Sequence, residues 1–298
     1  MLTRIHLLPA LLSCLLACGP PAPQSATGGA AETEAAPVTG APNQYAWLPA
    51  GRYDARRSLA ARFAPPAGCR RVAVAAGSFG FWLRHVPLLP AGTPVKLHTG
   101  QLKARQDVHA AVLDIDVGAQ DLQQCADAVI RLRAEYLFTQ QPDSVHFHLT
   151  SGHDIRFADW RRGRGFRVVG DEVRPAARPA EPATHAVFRR YLDQIFTYAG
   201  TLSLSRELTP VPLADVQPGD VLIRGGSPGH AVLVLDVAEN PAGRRYALLA
   251  QSYMPAQQPH VLRNVAEPTL GAWFAVDPQA ARFVTPEWTF AREELKRF

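Results

Sequence analysis

The run from Gln217 to Met254 leaves this chain few choices of fold. It predicts three consecutive strands of an antiparallel sheet. Pro218-Gly219-Asp220 is a turn, because proline presets φ and glycine tolerates the reversal. Val221 to Arg224 is a first short strand. Gly225, Gly226, Pro228 and Gly229 make a loop nearly free of side chains. His230 to Val237, rich in β-branched and aliphatic residues, is a second strand. Asn240 to Gly243 turns the chain, and Tyr246 to Ser252 returns as a third. Both faces of these strands are apolar, as in a buried central strand. One polar side chain stands out: His230, at the mouth of its strand just after the glycine-rich loop. The strand fixes the ring, and the loop lets a substrate come close.

The second informative stretch is Gly118 to Phe138. Leu122, Cys125, Val129, Leu132 and Tyr136 recur at helical spacing, with Arg131, Arg133 and Glu135 expected on the outer face. Asp121 is a candidate N-cap, which puts Cys125 in the first turn or so of a helix. Free amide N–H groups and the helix dipole there favour a thiolate, so a depressed thiol pKa is expected.

Together these stretches resemble the papain-like NlpC/P60 and CHAP cell-wall hydrolases. In those families a Pro-Gly-Asp turn opens a strand, a Gly-His pair opens the next and supplies the base, and a polar residue on the following strand orients it. The matching residues are Pro218-Gly219-Asp220, His230, and Gln251 or Ser252. The upstream run from Ser203 to Val216 resembles the segment leading into that turn. The resemblance implies an α+β, papain-like fold with a helix packed on an antiparallel sheet. It implies a nucleophile at Cys125, a base at His230 and an orienting Gln251. Strand parity leaves the third role open: His230 sits opposite residues 251 to 253, and either Gln251 or Ser252 faces it. The context Gln123-Gln124-Cys125-Ala126-Asp127 differs from the families' usual Asp-Cys-Ser/Gly. About a hundred residues separate Cys125 from His230, which requires an insertion in the core, placed between residues 139 and 184.

The N-terminus gives the address. One charge, Arg4, precedes an apolar run from Ile5 to Ala17, too short to span a bilayer as a helix and shaped like a signal peptide. Leu15-Leu16-Ala17-Cys18 resembles the bacterial lipobox. That implies cleavage before Cys18, acylation there, and a membrane-lipid partner. Gly19 in place of an aspartate favours the outer membrane, facing the periplasm. Residues 19–44 are a flexible tether of small and polar residues. Residues 45–298 are one elaborated globular domain with its papain-like core at about 118–264. Over its whole length the chain also resembles a family of bacterial lipoproteins known only as a domain of unknown function. Stretches carrying that likeness include Asp121-Leu-Gln-Gln-Cys-Ala-Asp-Ala and Pro228-Gly229-His230-Ala.

The net charge of +5 is modest, and Lys96, Lys103 and Lys296 are the only lysines. No nucleic-acid partner is expected from so weak a footprint. The dense cluster Arg161, Arg162, Arg164 and Arg167 reads as a solvated basic loop, or as a contact for anionic envelope polymer or lipid headgroups.

Elsewhere the pattern predicts a helix over Arg52–Phe63, a strand at Arg71–Ala76 and a glycine-punctuated stretch at Gly77–Leu83 whose aromatics fill core. Strands are expected near Val95–Thr99 and Ala110–Val117, and one where Val145, Phe147 and Leu149 alternate with His146 and His148. Arg174–Pro182 reads as a loop, His185–Tyr198 as an amphipathic helix, Val261-Leu262 and Trp273–Val276 as strands, and Glu287–Phe298 as a terminal helix.

The sequence therefore points to an envelope-anchored cysteine hydrolase or transferase acting on amide bonds, with peptidoglycan peptide as substrate and no cofactor. The alternative is a non-catalytic binding or scaffolding lipoprotein in which Cys69 and Cys125 form a disulfide, as suits an oxidising compartment. A third, weaker reading makes His146, His148 and His153, with Asp154, a metal site.

Overall fold

The computed structural model of the protein describes residues 44–298. The signal peptide, Cys18 and nearly all of the tether lie outside the described residues. No helix among the described residues is long and apolar enough to cross a membrane.

Between Arg52 and Phe63 the chain makes two short turns in place of one helix. A 3-10 turn spans Ala55–Arg57, and α1 is Leu59–Arg62. Ser58 is extended and its hydroxyl accepts from Ala61 N–H, so a second cap interrupts the run. β1 is only Arg70–Arg71. In the aromatic stretch Gly77–Leu83, Ser78 caps a helix, α2, at Phe79–Arg84. A Cβ on Gly80 would lie 3.0 Å from Pro218 Cβ, so glycine lets α2 lie close against the Pro218 turn. Phe79 and Trp82 are buried as expected.

The strand expected at Ala110–Val117 shortens to β2, His109–Val112, and residues 95–99 contribute isolated bridges only. Helix α3 spans Cys125–Gln140. The segment after it is a pair of hairpins around a short helix. β3 (His146–His148) pairs with β4 (Asp154–Arg156), α4 is Phe157–Arg161, and β5 (Arg164–Val169) pairs with β6 (Glu172–Ala177). Arg164 and Arg167 of the basic cluster thus lie on β5 and Arg174 on β6, so a hairpin replaces much of the two expected loops, while Arg161 ends α4. Helix α5 is His185–Tyr198, with Val187, Tyr191 and Ile195 buried, and α6 is Thr201–Glu207.

The remaining strands are β7 (Thr209–Pro210), β8 (Val221–Arg224), β9 (His230–Glu239), β10 (Arg245–Gln251), β11 (His260–Leu262) and β12 (Trp273–Ala275). The expected terminal helix is absent. Its place is taken by β14 (Thr289–Ala291), paired with β13 (Arg282–Val284), then a 3-10 turn and β15 (Leu295–Arg297). Phe290 and Leu295 are buried, and the backbone of this segment is taken up by pairing with β13 and β8.

The large sheet is antiparallel throughout, in the order β2-β11-β10-β9-β8-β15-β7, with β1 on β9 and β12 on β10. The chain is therefore α+β, with few helices around one large sheet. Strand β9 is central, and both its faces are covered. On one side Ala231, Leu233 and Leu235 join a core with Val129 and Leu132 of α3. On the other Val232 and Val234 meet Phe283, Phe290 and Leu295 from the C-terminal segment. That accounts for the unbroken apolar run of the sequence.

There are two buried ion clusters, and the first departs from expectation. Arg131 and Glu135, placed outside by periodicity, are fully buried and paired at 2.7 Å. His185 Nε2 meets Glu135, and Asp116 and Gln123 take the Arg131 guanidinium. Asp236 is wholly buried between Arg71 and Arg84, each at 2.7 Å, and does not touch His230.

Candidate functional site

Cys125 opens α3, and the residue before it, Gln124, is the N-cap in place of Asp121. The Gln124 N–H donates to the Asp127 carboxyl at 3.1 Å, which closes the first turn. Asp121 is used elsewhere: its Oδ1 accepts from Ala256 N–H at 2.6 Å and pins the β10–β11 connection to the approach to the helix. Cys125 is 7 % exposed. The N–H groups of Ala126, Ala231 and Cys125 itself face the sulfur and favour its ionised form. Burial outweighs them, and with the nearby Asp127 it pushes the thiol up to about 11. The expected depression is therefore reversed, because the helix start lies under the sheet and not at a wet surface.

His230 opens β9, paired with Arg224 across the glycine loop. Burial pushes its pKa down to about 4, so the ring is neutral near pH 7. Its Nε2 lies 2.9 Å from Gln251 Oε1. The register explains which candidate reaches it. A bulge at Leu248/Leu249 shifts the ladder, and Ala250 then pairs with Leu233. Gln251 therefore projects on the face of Val232 and His230, one pair further in. Ser252 points the other way, donating to Gln257 O at 2.8 Å.

The Gln251 amide is itself held. Its Nε2 donates to Glu287 Oε2 at 2.5 Å and lies 3.5 Å from His260 Nε2. His260 Nδ1–H donates to Gln258 O, which leaves its Nε2 as an acceptor. Glu287 is ion-paired to Lys103 at 2.7 Å and only accepts. Gln251 Oε1 is thereby turned toward His230, so His230 carries its proton on Nε2 and keeps a lone pair on Nδ1. Tyr253, Trp288 and Phe290 surround the ring at centroid distances of 4.8, 5.2 and 6.1 Å.

Cys125 and His230 line one cleft of about 660 Å³, with Asp127, Phe196, Thr201, the Gly226–Gly229 loop, Tyr253, Met254 and Trp288. Asp127 Oδ1 is buried there without a hydrogen-bond partner, and burial pushes that carboxyl up to about 8. Cys69 and Cys125 are both free, so the bridge of the alternative reading is not formed. His146, His148 and Asp154 form a separate cluster outside the cleft, whereas His153 bonds to Ser151.

A family model described as DUF4846, a domain of unknown function, matches residues 59–297. The chain belongs to that family. The matched span of this DUF4846 chain includes Cys125, His230, Gln251 and Glu287. No curated protein and no solved structure matches the chain. Reasoning on the sequence missed Glu287, Lys103 and His260. Glu287 and Lys103 lie in stretches with no strand or motif signal, and His260 differs from any core histidine only by its neighbours in space.

Proposed function

We propose that this DUF4846 domain is a cysteine hydrolase or transferase acting on amide bonds, built on a papain-like core. The observation that carries it is the convergence on one cleft of a helix-start cysteine and a histidine whose free Nδ1 is selected by Gln251 and Glu287. The order and roles match the thiol, base and orienting group that covalent catalysis needs.

Near pH 7 the resting pair is a neutral thiol and a neutral imidazole. The thiol proton passes to His230 Nδ1 as Cys125 Sγ attacks the amide carbon. The N–H groups at the start of α3 stabilise the oxyanion. His230 returns the proton to the leaving amine, the C–N bond breaks and a thioester remains. Water then releases the acid, or a second amine takes the acyl group. Cell-wall peptide is the proposed substrate. It fits the proposed lipid anchorage through Cys18, which would hold the domain at the envelope membrane beside peptidoglycan.

The test is incubation of the purified protein with peptidoglycan-derived peptides, with mass spectrometry for new termini and for an acyl adduct on Cys125. Activity lost in Cys125→Ala and His230→Ala supports the reading, and cleavage that survives Cys125→Ala overturns it. Cys18→Ser should release the protein from the membrane fraction; unchanged fractionation would remove the anchor from the proposal.

A second reading, a non-catalytic binding module, is favoured by one observation: burial pushes thiol and imidazole alike toward their uncharged, unreactive forms. It predicts peptide binding that is unchanged in Cys125→Ala and no adduct under any condition.

A further inference from the structure

The geometry points to a divalent transition-metal site on the β3–β4 hairpin, formed by His146, His148 and Asp154. Phe147 faces the core, so His146 and His148 share the outward face of β3. Asp154 is the cross-strand partner of His148, which brings all three to one patch. One ligand atom from each lies within 4.8 Å of the other two.

The groups that touch these side chains support the assignment. Glu207, the last residue of α6, accepts from the His148 backbone N–H at 3.1 Å and lies 3.2 Å from His148 Nδ1. A carboxylate there holds the Nδ1–H tautomer and leaves Nε2 as a donor to a metal. His146 Nδ1 meets Asp154 Oδ1 at 2.8 Å. Arg156 Nη1, at 3.5 Å, takes the other oxygen, so Asp154 offers one oxygen only.

Two imidazoles and one carboxylate suit zinc, nickel or copper, not magnesium or calcium. Metal–nitrogen bonds of about 2.0–2.1 Å need donors roughly 3–3.5 Å apart. Small side-chain rotations reach that spacing, with the metal replacing the His146–Asp154 hydrogen bond. The histidines are 39 % exposed, which leaves room for water as the remaining ligand. A bound ion would brace the hairpin, which Glu207 joins to α6. At its other end α6 carries Thr201, whose hydroxyl donates to Gly226 O at 3.1 Å in the cleft wall.

The experiment uses the protein with its accessible thiols alkylated, so that none of them competes for metal. Zn²⁺ is titrated by calorimetry, and Co²⁺ by its visible absorption. One saturable site is expected. Affinity should fall at least tenfold in His146→Asn, His148→Asn and Asp154→Asn, and should not change in His98→Asn or His153→Asn. Glu207→Gln should weaken binding about 10–100-fold, the range for loss of a group that orients a ligand. Absence of saturable binding overturns the proposal. So does binding that survives His146→Asn and Asp154→Asn together, which would mark adventitious binding at other histidines. Circular dichroism of each variant separates loss of the site from loss of the fold.

Discussion

Glu287 accepts a hydrogen bond from the Gln251 amide at 2.5 Å, on the side of that amide away from His230. A residue of the C-terminal segment thus decides which nitrogen of an imidazole on β9 carries the proton. Replacing Glu287 with glutamine removes the reason for the Gln251 amide to point one way. The expected result is a mixed His230 tautomer by imidazole ¹⁵N NMR and severalfold slower alkylation of Cys125. Lys103, 7 % exposed, also loses its partner. Breaking such a buried pair costs about 3–5 kcal/mol. Adding Lys103→Met should restore much of the stability and none of the tautomer preference.

Acid should destabilise the protein well before its surface carboxylates are neutral. His230 and His260 have folded pKa values of about 4 and 3, lowered by burial from 6.5. Between pH 6.5 and those values the unfolded chain binds protons that the folded chain does not. Their contribution is complete above pH 6.5 and is lost as pH falls toward 4 and below. Urea midpoints should decline over that window, and His260→Gln should flatten the decline. An unchanged slope in that variant would show that His260 is not buried neutral.

Asp127 has the opposite sign. Its folded value is raised from 3.8 to about 8, so the unfolded chain gives up that proton first and stability falls as pH rises from about 4 to 8. Asp127→Asn should be more stable than the parent at pH 8, by a margin that shrinks toward pH 4. Removing the carboxylate should also lower the Cys125 thiol pKa, since Asp127 is the second cause of its rise. Alkylation rate against pH, mapped to Cys125, reads this directly.

Gly229 is fixed by space. A Cβ there would sit 2.3 Å from Gly226 O and 2.4 Å from Thr201 Oγ1. Gly229→Ala should push the loop off α6 and cost about 1–3 kcal/mol, as overpacking does. Alkylation of Cys125 should speed up as the cleft opens; a rate equal to the parent's would mean the loop does not shield the thiol.

Legibility in the sequence followed locality. The strands at 221–224, 230–239 and 245–251 were readable because turn residues and β-branched runs are local signals, and α5 because its period is. The first-turn placement of Cys125 was readable for the same reason. The burial of Arg131 and Glu135 was not, because it depends on Asp116, Gln123 and His185, partners outside the helix that its period does not announce. The choice between Gln251 and Ser252 turned on the bulge at Leu248/Leu249, which no turn residue announces. The raised thiol pKa was not legible either, because a helix start signals electrostatics alone, whereas the depth of Cys125 is set by the sheet above it. The C-terminal strands are hidden in the sequence because each carries too few residues to show period two, and β15 pairs with a strand some seventy residues away.

β15 sits between β8 and β7, although some seventy residues of chain separate it from β8. Until Leu295 pairs with Leu222, β8 is an open sheet edge beside β9 and an invitation to strand exchange. Glu287 arrives with the same segment. Folding must close this long loop before the sheet is sealed, which makes it slow for its size. A chain halted short of that segment holds Cys125 and His230 but lacks both the Trp288 wall of the cleft and the carboxylate that keeps Gln251 in order.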